Sequence, residues 1–189
     1  MKRICLIVLI AAASCTSAQN KEQVFSMNGL GSLKLGLSQA EVEKLLNEKI
    51  VLPNSLDTNS HFYQDTARLK YKDIDVQLEF DRNYYAPYKF RMRLIGIRTS
   101  CTLCKTASGI GVGTDRSKIL TEFDKYHVRI QPGYVTYYET EKGEGKSTVS
   151  VMDDGASLQD GSDAYTTVFY LLNRKVVSFE LKAKLTGDR

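Results

Sequence analysis

One stretch of this chain is written twice. Residues 33–46 return, degenerate but in register, at 110–123, where Gly36 answers to Gly113, Ser38 to Asp115, Val42 to Ile119 and Leu46 to Phe123 at one constant offset. Each copy has helical spacing and leads into alternating, strand-like sequence, so the repeat implies two copies of one helix-and-sheet unit. The expected fold class is therefore α+β: two repeated helix-plus-antiparallel-sheet units packed side by side.

Within the first copy, Ser38 is placed to cap a helix start and Glu41, three residues on, to complete a capping box. Val42, Leu45 and Leu46 supply the apolar stripe, which predicts a helix over 39–47. Val76, Leu78 and Phe80 alternate with Gln77 and Glu79, the pattern of a half-buried strand. A neighbouring strand over 67–72 would join it through a tight turn at Lys72-Asp73, and 90–97 would make a third. The second copy predicts a helix over 116–125 and strands near 134–139, 147–152, 165–172 and 175–183. Asn173-Arg174 reads as a hairpin tip, and the acidic or glycine-rich stretches 141–146 and 153–163 read as loops.

The amino terminus carries Lys2 and Arg3 and then an apolar run from Ile4 to Ala13, too short to span a bilayer comfortably and typical of an export signal. Two processing routes fit. Cleavage after Ala18 would remove residues 1–18. Alternatively, Ala12-Ala13-Ser14-Cys15 resembles a lipobox, which would remove 1–14 and lipidate Cys15. Export to the periplasm, attachment to the outer membrane or secretion is expected either way, with membrane contact only through lipid at Cys15. Loss of Lys2 and Arg3 takes the net charge from +4 to about +2, which gives no reason to expect a nucleic-acid partner. The mature chain divides into a leader or short edge strand at 19–31, a first αβ unit at 32–99, a junction at 100–109 and a second αβ unit at 110–185.

The Gly36-Leu37-Ser38-Gln39-Ala40-Glu41-Val42 run resembles the helix start of small exported proteins related to the BamE/SmpA outer-membrane assembly lipoproteins. The doubled arrangement is similar to the β-lactamase-inhibitory-protein architecture, in which two such units pack together. In the second copy Thr114 replaces the hydrophobic residue and Lys118 the acid. The resemblance implies helices on one face of an antiparallel sheet and a role in binding other proteins rather than in catalysis.

Cys101 and Cys104 are the two thiols that survive export unmodified, and in an exported chain the CxxC pair reads first as a local disulfide. A thiol–disulfide redox pair is the alternative. Zinc would need two further ligands, and Lys105 stands where haem attachment would want His. The glycines at 109, 111 and 113 match neither a dinucleotide fingerprint nor a P-loop. The carboxylates at 153–163 lack EF-hand spacing, and His61 and His127 read as ordinary turn or surface residues. No catalytic motif occurs, so no catalytic residue, metal or cofactor is assigned. Aromatic and cationic residues mix around Tyr84, Tyr85 and Tyr88, with Tyr137 and Tyr138 as a second cluster, and this composition suits a contact surface for an envelope protein of unknown identity.

Overall fold

The computed structural model describes residues 21–52, 64–85, 89–132, 146–153 and 164–184. The fold is mixed α+β, with two helices and two sheets. A small antiparallel sheet comprises β1 (Phe25–Ser26), β2 (Gly29–Leu30) and β3 (Leu33–Lys34). Helix α1 (Gln39–Leu46) follows, and then β4 (Gln64–Tyr71), β5 (Ile74–Tyr85) and β6 (Lys89–Thr99). After the junction come α2 (Arg116–Glu122), β7 (His127–Pro132), β8 (Lys146–Asp153), β9 (Ala164–Leu172) and β10 (Lys175–Lys184). The long strands make one antiparallel sheet in the order β4-β5-β6-β10-β9-β8-β7.

This corrects the expectation of two units packed side by side. Strands from both halves share a single sheet, closed where β6 meets β10 with Ile97 opposite Leu181 and Thr99 opposite Phe179. The helix-to-sheet contact is made by α1 against β6. Part of the segment 19–31, expected as a leader or a short edge strand, instead folds with Leu33 and Lys34 of the first unit into the small sheet, and Phe25, Leu30 and Leu33 lie in the core. The segment at 134–139, expected as a strand, lies outside the described residues, and the strand nearest to it is β7.

Local chemistry explains the helix starts. The Ser38 hydroxyl accepts from the Glu41 amide at 3.3 Å, and the Glu41 carboxylate accepts from the Ser38 amide at 2.8 Å. That pair satisfies two amides that no helical carbonyl reaches. Asn47 ends α1 in the left-handed conformation. At α2, Asp115 accepts from the Ser117 amide at 2.9 Å. Both expected hairpin tips form: Lys72 and Asp73, and likewise Asn173 and Arg174, adopt positive φ in pairs, the backbone a two-residue turn needs to follow the twist of its strands.

The two helix starts are held by matching contacts. The Gly36 amide donates to the Leu94 carbonyl at 2.7 Å, and the Leu94 amide donates to the Leu37 carbonyl at 2.8 Å. In the second half, the Gly113 amide donates to the Val176 carbonyl at 2.7 Å, and the Val176 amide to the Thr114 carbonyl at 2.9 Å. Gly36 and Gly113 have φ of 88° and 89°. Where β6 and β10 part from one another, each takes the turn before a helix as its neighbour. Each central strand also shifts register beside that point, between Glu79 and Phe80 in the β5–β6 pair and between Val176 and Ser178 in the β10–β9 pair.

Strand parity sorts the large sheet into two faces. The inner face carries Tyr71, Val76, Leu78, Phe80, Leu94, Ile97, Phe169, Phe179 and Leu181, all buried. Val42 of α1, Ile119 of α2 and Phe25, Leu30 and Leu33 of the small sheet belong to the same core. Phe25 stacks on Phe179 with ring centroids 4.0 Å apart, and Phe123 approaches Phe169 at 6.0 Å. Among the described residues, no helix lies on the outer face.

Candidate functional site

The outer face draws its side chains from both halves of the chain. Register places Arg68, Gln77, Arg98 and Glu180 in one row across β4, β5, β6 and β10. Thr66, Glu79, Gly96 and Lys182 form the adjoining row. Residues directly opposite on neighbouring strands project to the same side, so each row is a line of neighbours.

At the middle of this face the groups interlock. The Tyr170 hydroxyl donates to Glu180 Oε2 at 2.5 Å, and the Arg98 guanidinium sits 4.4 Å from the Tyr170 ring centroid. Lys182 Nζ lies 3.3 Å from Glu180 Oε1 and 3.8 Å from Glu79 Oε2. Gly96 makes room for this cluster, because a Cβ there would stand 2.9 Å from both Cβ and Oε2 of Glu79. Glu180 is only 7 % exposed, an unusual position for a carboxylate, and its two partners account for it.

Burial, reinforced by the hydrogen bond to Glu180, pushes the Tyr170 phenol up from 10.0 to about 12. The folded state therefore favours the neutral phenol. Its contribution to stability is fully present below pH 10 and is lost as the pH rises through 12. A tyrosinate step near pH 12 is expected in a 295 nm absorbance titration, and Tyr170→Phe removes that step. A wild-type titration in which every tyrosine ionises near its ordinary value would mean that the Tyr170–Glu180 contact does not hold in solution.

Beside the cluster, the outer ends of β4, β5, β6 and β10 frame an open groove of about 710 Å³. Its lining includes Arg68, Lys70, Gln77, Arg98, Val177 and Ser178. Lys70 is held by Asp75 at 2.8 Å. Val177 stands at the register shift of β10, left out of the strand pairing and 42 % exposed.

The cysteines answer differently from their spacing. Cys101 and Cys104 come within 3.0 Å of each other but are free thiols, so the expected disulfide is not formed. The loop brings its ends together by its own hydrogen bond, from the Cys104 amide to the Cys101 carbonyl, and by the Cys101 amide donating to Thr99 Oγ1 at 3.1 Å. A CxxC turn thus places two sulfurs near each other without oxidation. Cys104 is wholly buried in the core, and that burial pushes its thiol far up, which suppresses the thiolate that redox exchange needs.

Of the tyrosines expected to form a contact surface, Tyr84 and Tyr85 end β5, opposite Phe90 and Lys89 in the β5–β6 hairpin. Tyr88, Tyr137 and Tyr138 lie outside the described residues, as does Cys15. Sequence reasoning missed Tyr170, Arg98 and Glu180. A partial signal was present: alternation within each strand sets Tyr170 apart from Phe169 and Glu180 apart from Phe179, but a count from the Asn173-Arg174 tip would put Tyr170 and Glu180 on opposite faces, and it is the register shift between Val176 and Ser178 that brings them to the same one.

Among the described residues, no group of three or more His, Cys, Asp or Glu side chains is arranged to hold a metal ion, and no helix is long and apolar enough to cross a membrane. No protein-family model, curated protein or solved structure matches this chain.

Proposed function

We propose that this chain is an exported, non-catalytic protein-binding or envelope-scaffolding domain whose contact surface is the outer face of the seven-stranded sheet. The observation that carries this reading is the asymmetry of the sheet. Its inner face is buried, with α1 packed against β6 and Phe25 of the small sheet stacked on Phe179, whereas its outer face presents an ordered Arg98–Tyr170–Glu180–Lys182 cluster beside an open groove. Tyrosine and arginine are the residues that supply most contact energy where proteins meet, because they offer large area with few torsions to freeze.

The reading includes a tandem origin for the architecture. Two copies of a unit, each docking its helix start on a central strand, would produce the paired contacts of Gly36 with Leu94 and Gly113 with Val176. The resemblance to the BamE/SmpA and β-lactamase-inhibitory families remains part of this proposal and rests on the helix-start residues. Export rests on the amino-terminal signal pattern. The alternative, a thiol–disulfide role for Cys101 and Cys104, is weakened by the burial of Cys104.

Two side chains of equal exposure on different surfaces make the test. A photoreactive benzoylphenylalanine replaces Val177 at the groove, 42 % exposed, or Leu45 on α1, 41 % exposed. In cells that naturally export the protein, irradiation is expected to give protein adducts from position 177 and few from 45. Adducts from 45 alone, or equal yields from both, would overturn the assignment of the outer face.

A further inference from the structure

We infer that the groove on the outer face takes an acidic segment of a partner protein, with Arg68 and Arg98 as the paired anchors for its carboxylates. This inference rests on the proposed sheet-face binding and adds the chemistry of the partner.

The argument begins with which charges are already engaged. The groove is lined by three cations, Arg68, Lys70 and Arg98, and by one carboxylate, Asp75. Asp75 is held by Lys70. Glu180, which register sets opposite Arg98, is occupied by the Tyr170 hydroxyl and the Lys182 ammonium. Arg98 meets the face of the Tyr170 ring instead, and Arg68 has no acidic partner among the described residues. Two exposed guanidiniums are thus left on the same side of the sheet with their forks uncommitted to any described carboxylate.

Spacing then selects the ligand. Arg68 and Arg98 stand on strands two apart with Gln77 between them, so their backbones are about 10 Å from one another at ~4.8 Å per strand. Carboxylates at alternate positions of an extended polypeptide lie on one side, about 7 Å apart. Long arginine side chains close that difference, and each guanidinium offers two parallel donors to a carboxylate. Gln77 is then left beneath the intervening peptide group, which both donates and accepts as the Gln77 amide does. Val177 adds an apolar contact at the same groove, which a chain can use and a bare anion cannot.

The test uses the full chain at low ionic strength, with a fluorescein-labelled Glu-Ala-Glu-Ala-Glu-Ala peptide followed by anisotropy. Binding to the wild type is expected, and the Gln-for-Glu peptide is expected to be at least about tenfold weaker. Arg68→Gln and Arg98→Gln are each expected to weaken binding about tenfold and together about a hundredfold. Lys70→Gln is expected to change it less than about twofold, because Lys70 and Asp75 already neutralise one another at the surface. Both arginines are exposed, so thermal unfolding of R68Q/R98Q is expected to match the wild type, and R68K/R98K, which keeps the charge, is expected to recover part of the binding.

Equal affinity of R68Q/R98Q and wild type for the peptide overturns the inference. So does displacement of the peptide by an equimolar concentration of inorganic phosphate, or by phosphatidylglycerol vesicles at equimolar lipid headgroup, since either identifies a site for a single anion. The photocrosslink separates the two readings. An undiminished adduct from position 177 in the R68Q/R98Q background overturns the acidic-segment inference and leaves sheet-face binding standing, whereas no adduct from 177 in the wild-type background removes both.

Discussion

Replacing Phe179 by alanine is expected to lower the unfolding free energy by about 3–5 kcal/mol, the range for deleting a fully buried aromatic ring. Three parts of the molecule meet on this side chain. It stands on β10, opposite Thr99 of β6 and Phe169 of β9, at the place where the strands of the two halves join. Its ring is 0 % exposed and stacks on Phe25 of the small sheet at 4.0 Å, with the planes 21° apart. Truncation removes the transfer energy of the ring and leaves a cavity that three separately anchored elements cannot easily collapse to fill. In urea the midpoint is expected to fall with little change in slope, because the surface exposed on unfolding scarcely alters. A double-mutant cycle with Phe25→Ala is expected to show a coupling of about 0.5–1.5 kcal/mol, the increment typical of an aromatic pair beyond its area. A loss below about 1 kcal/mol for Phe179→Ala would mean that β10 and the small sheet do not share a core.

The features legible in the sequence are those decided within a few residues. Ser38 and Glu41 satisfy each other's amides over three positions, and the tips at Lys72-Asp73 and Asn173-Arg174 are decided by two residues' willingness to adopt positive φ. Strand alternation likewise separates Phe169 and Phe179 from Tyr170 and Glu180. Neighbourhood is not written in alternation. The β6–β10 pairing joins segments far apart in the chain, and periodicity states which side a residue faces without stating which strand lies next to it. That gap hid the outer-face cluster, whose members come from β6, β9 and β10, while composition pointed to Tyr84, Tyr85, Tyr88, Tyr137 and Tyr138 instead. The strands of the small sheet are two residues each, too short to show a period, so Phe25 and Leu30 sat in what resembled a polar leader. At the CxxC the spacing did indicate closeness. It carried no information on oxidation, and the thiols lie together unbonded.

Gly111 offers the sharpest test of the junction, since it shows why glycines cluster there without any phosphate to bind. Its φ lies outside the left-handed range; space is what it requires. A Cβ at Gly111 would run into the Cys104 carbonyl and stand 2.9 Å from Lys105 Cγ. The obstruction is backbone, and that backbone is pinned on its far side: the Phe25 amide donates to the Lys105 carbonyl at 3.1 Å, and the Lys105 amide to the Gln23 carbonyl at 3.0 Å. Alanine must therefore push the 104–105 segment away from 111 or loosen its hold on residues 23–25, and Phe25 carries the ring stacked on Phe179. Gly111→Ala is accordingly expected to cost about 3 kcal/mol, the upper part of the range for overpacking a close contact. Gly36→Ala is the control, because its Cβ would meet nothing within 4 Å and its positive φ alone costs about 1–2 kcal/mol. Thermal unfolding of the two variants side by side decides the matter. If G111A proves no less stable than G36A, the junction yields freely and the close approach of residues 104 and 111 does not hold the amino-terminal sheet in place.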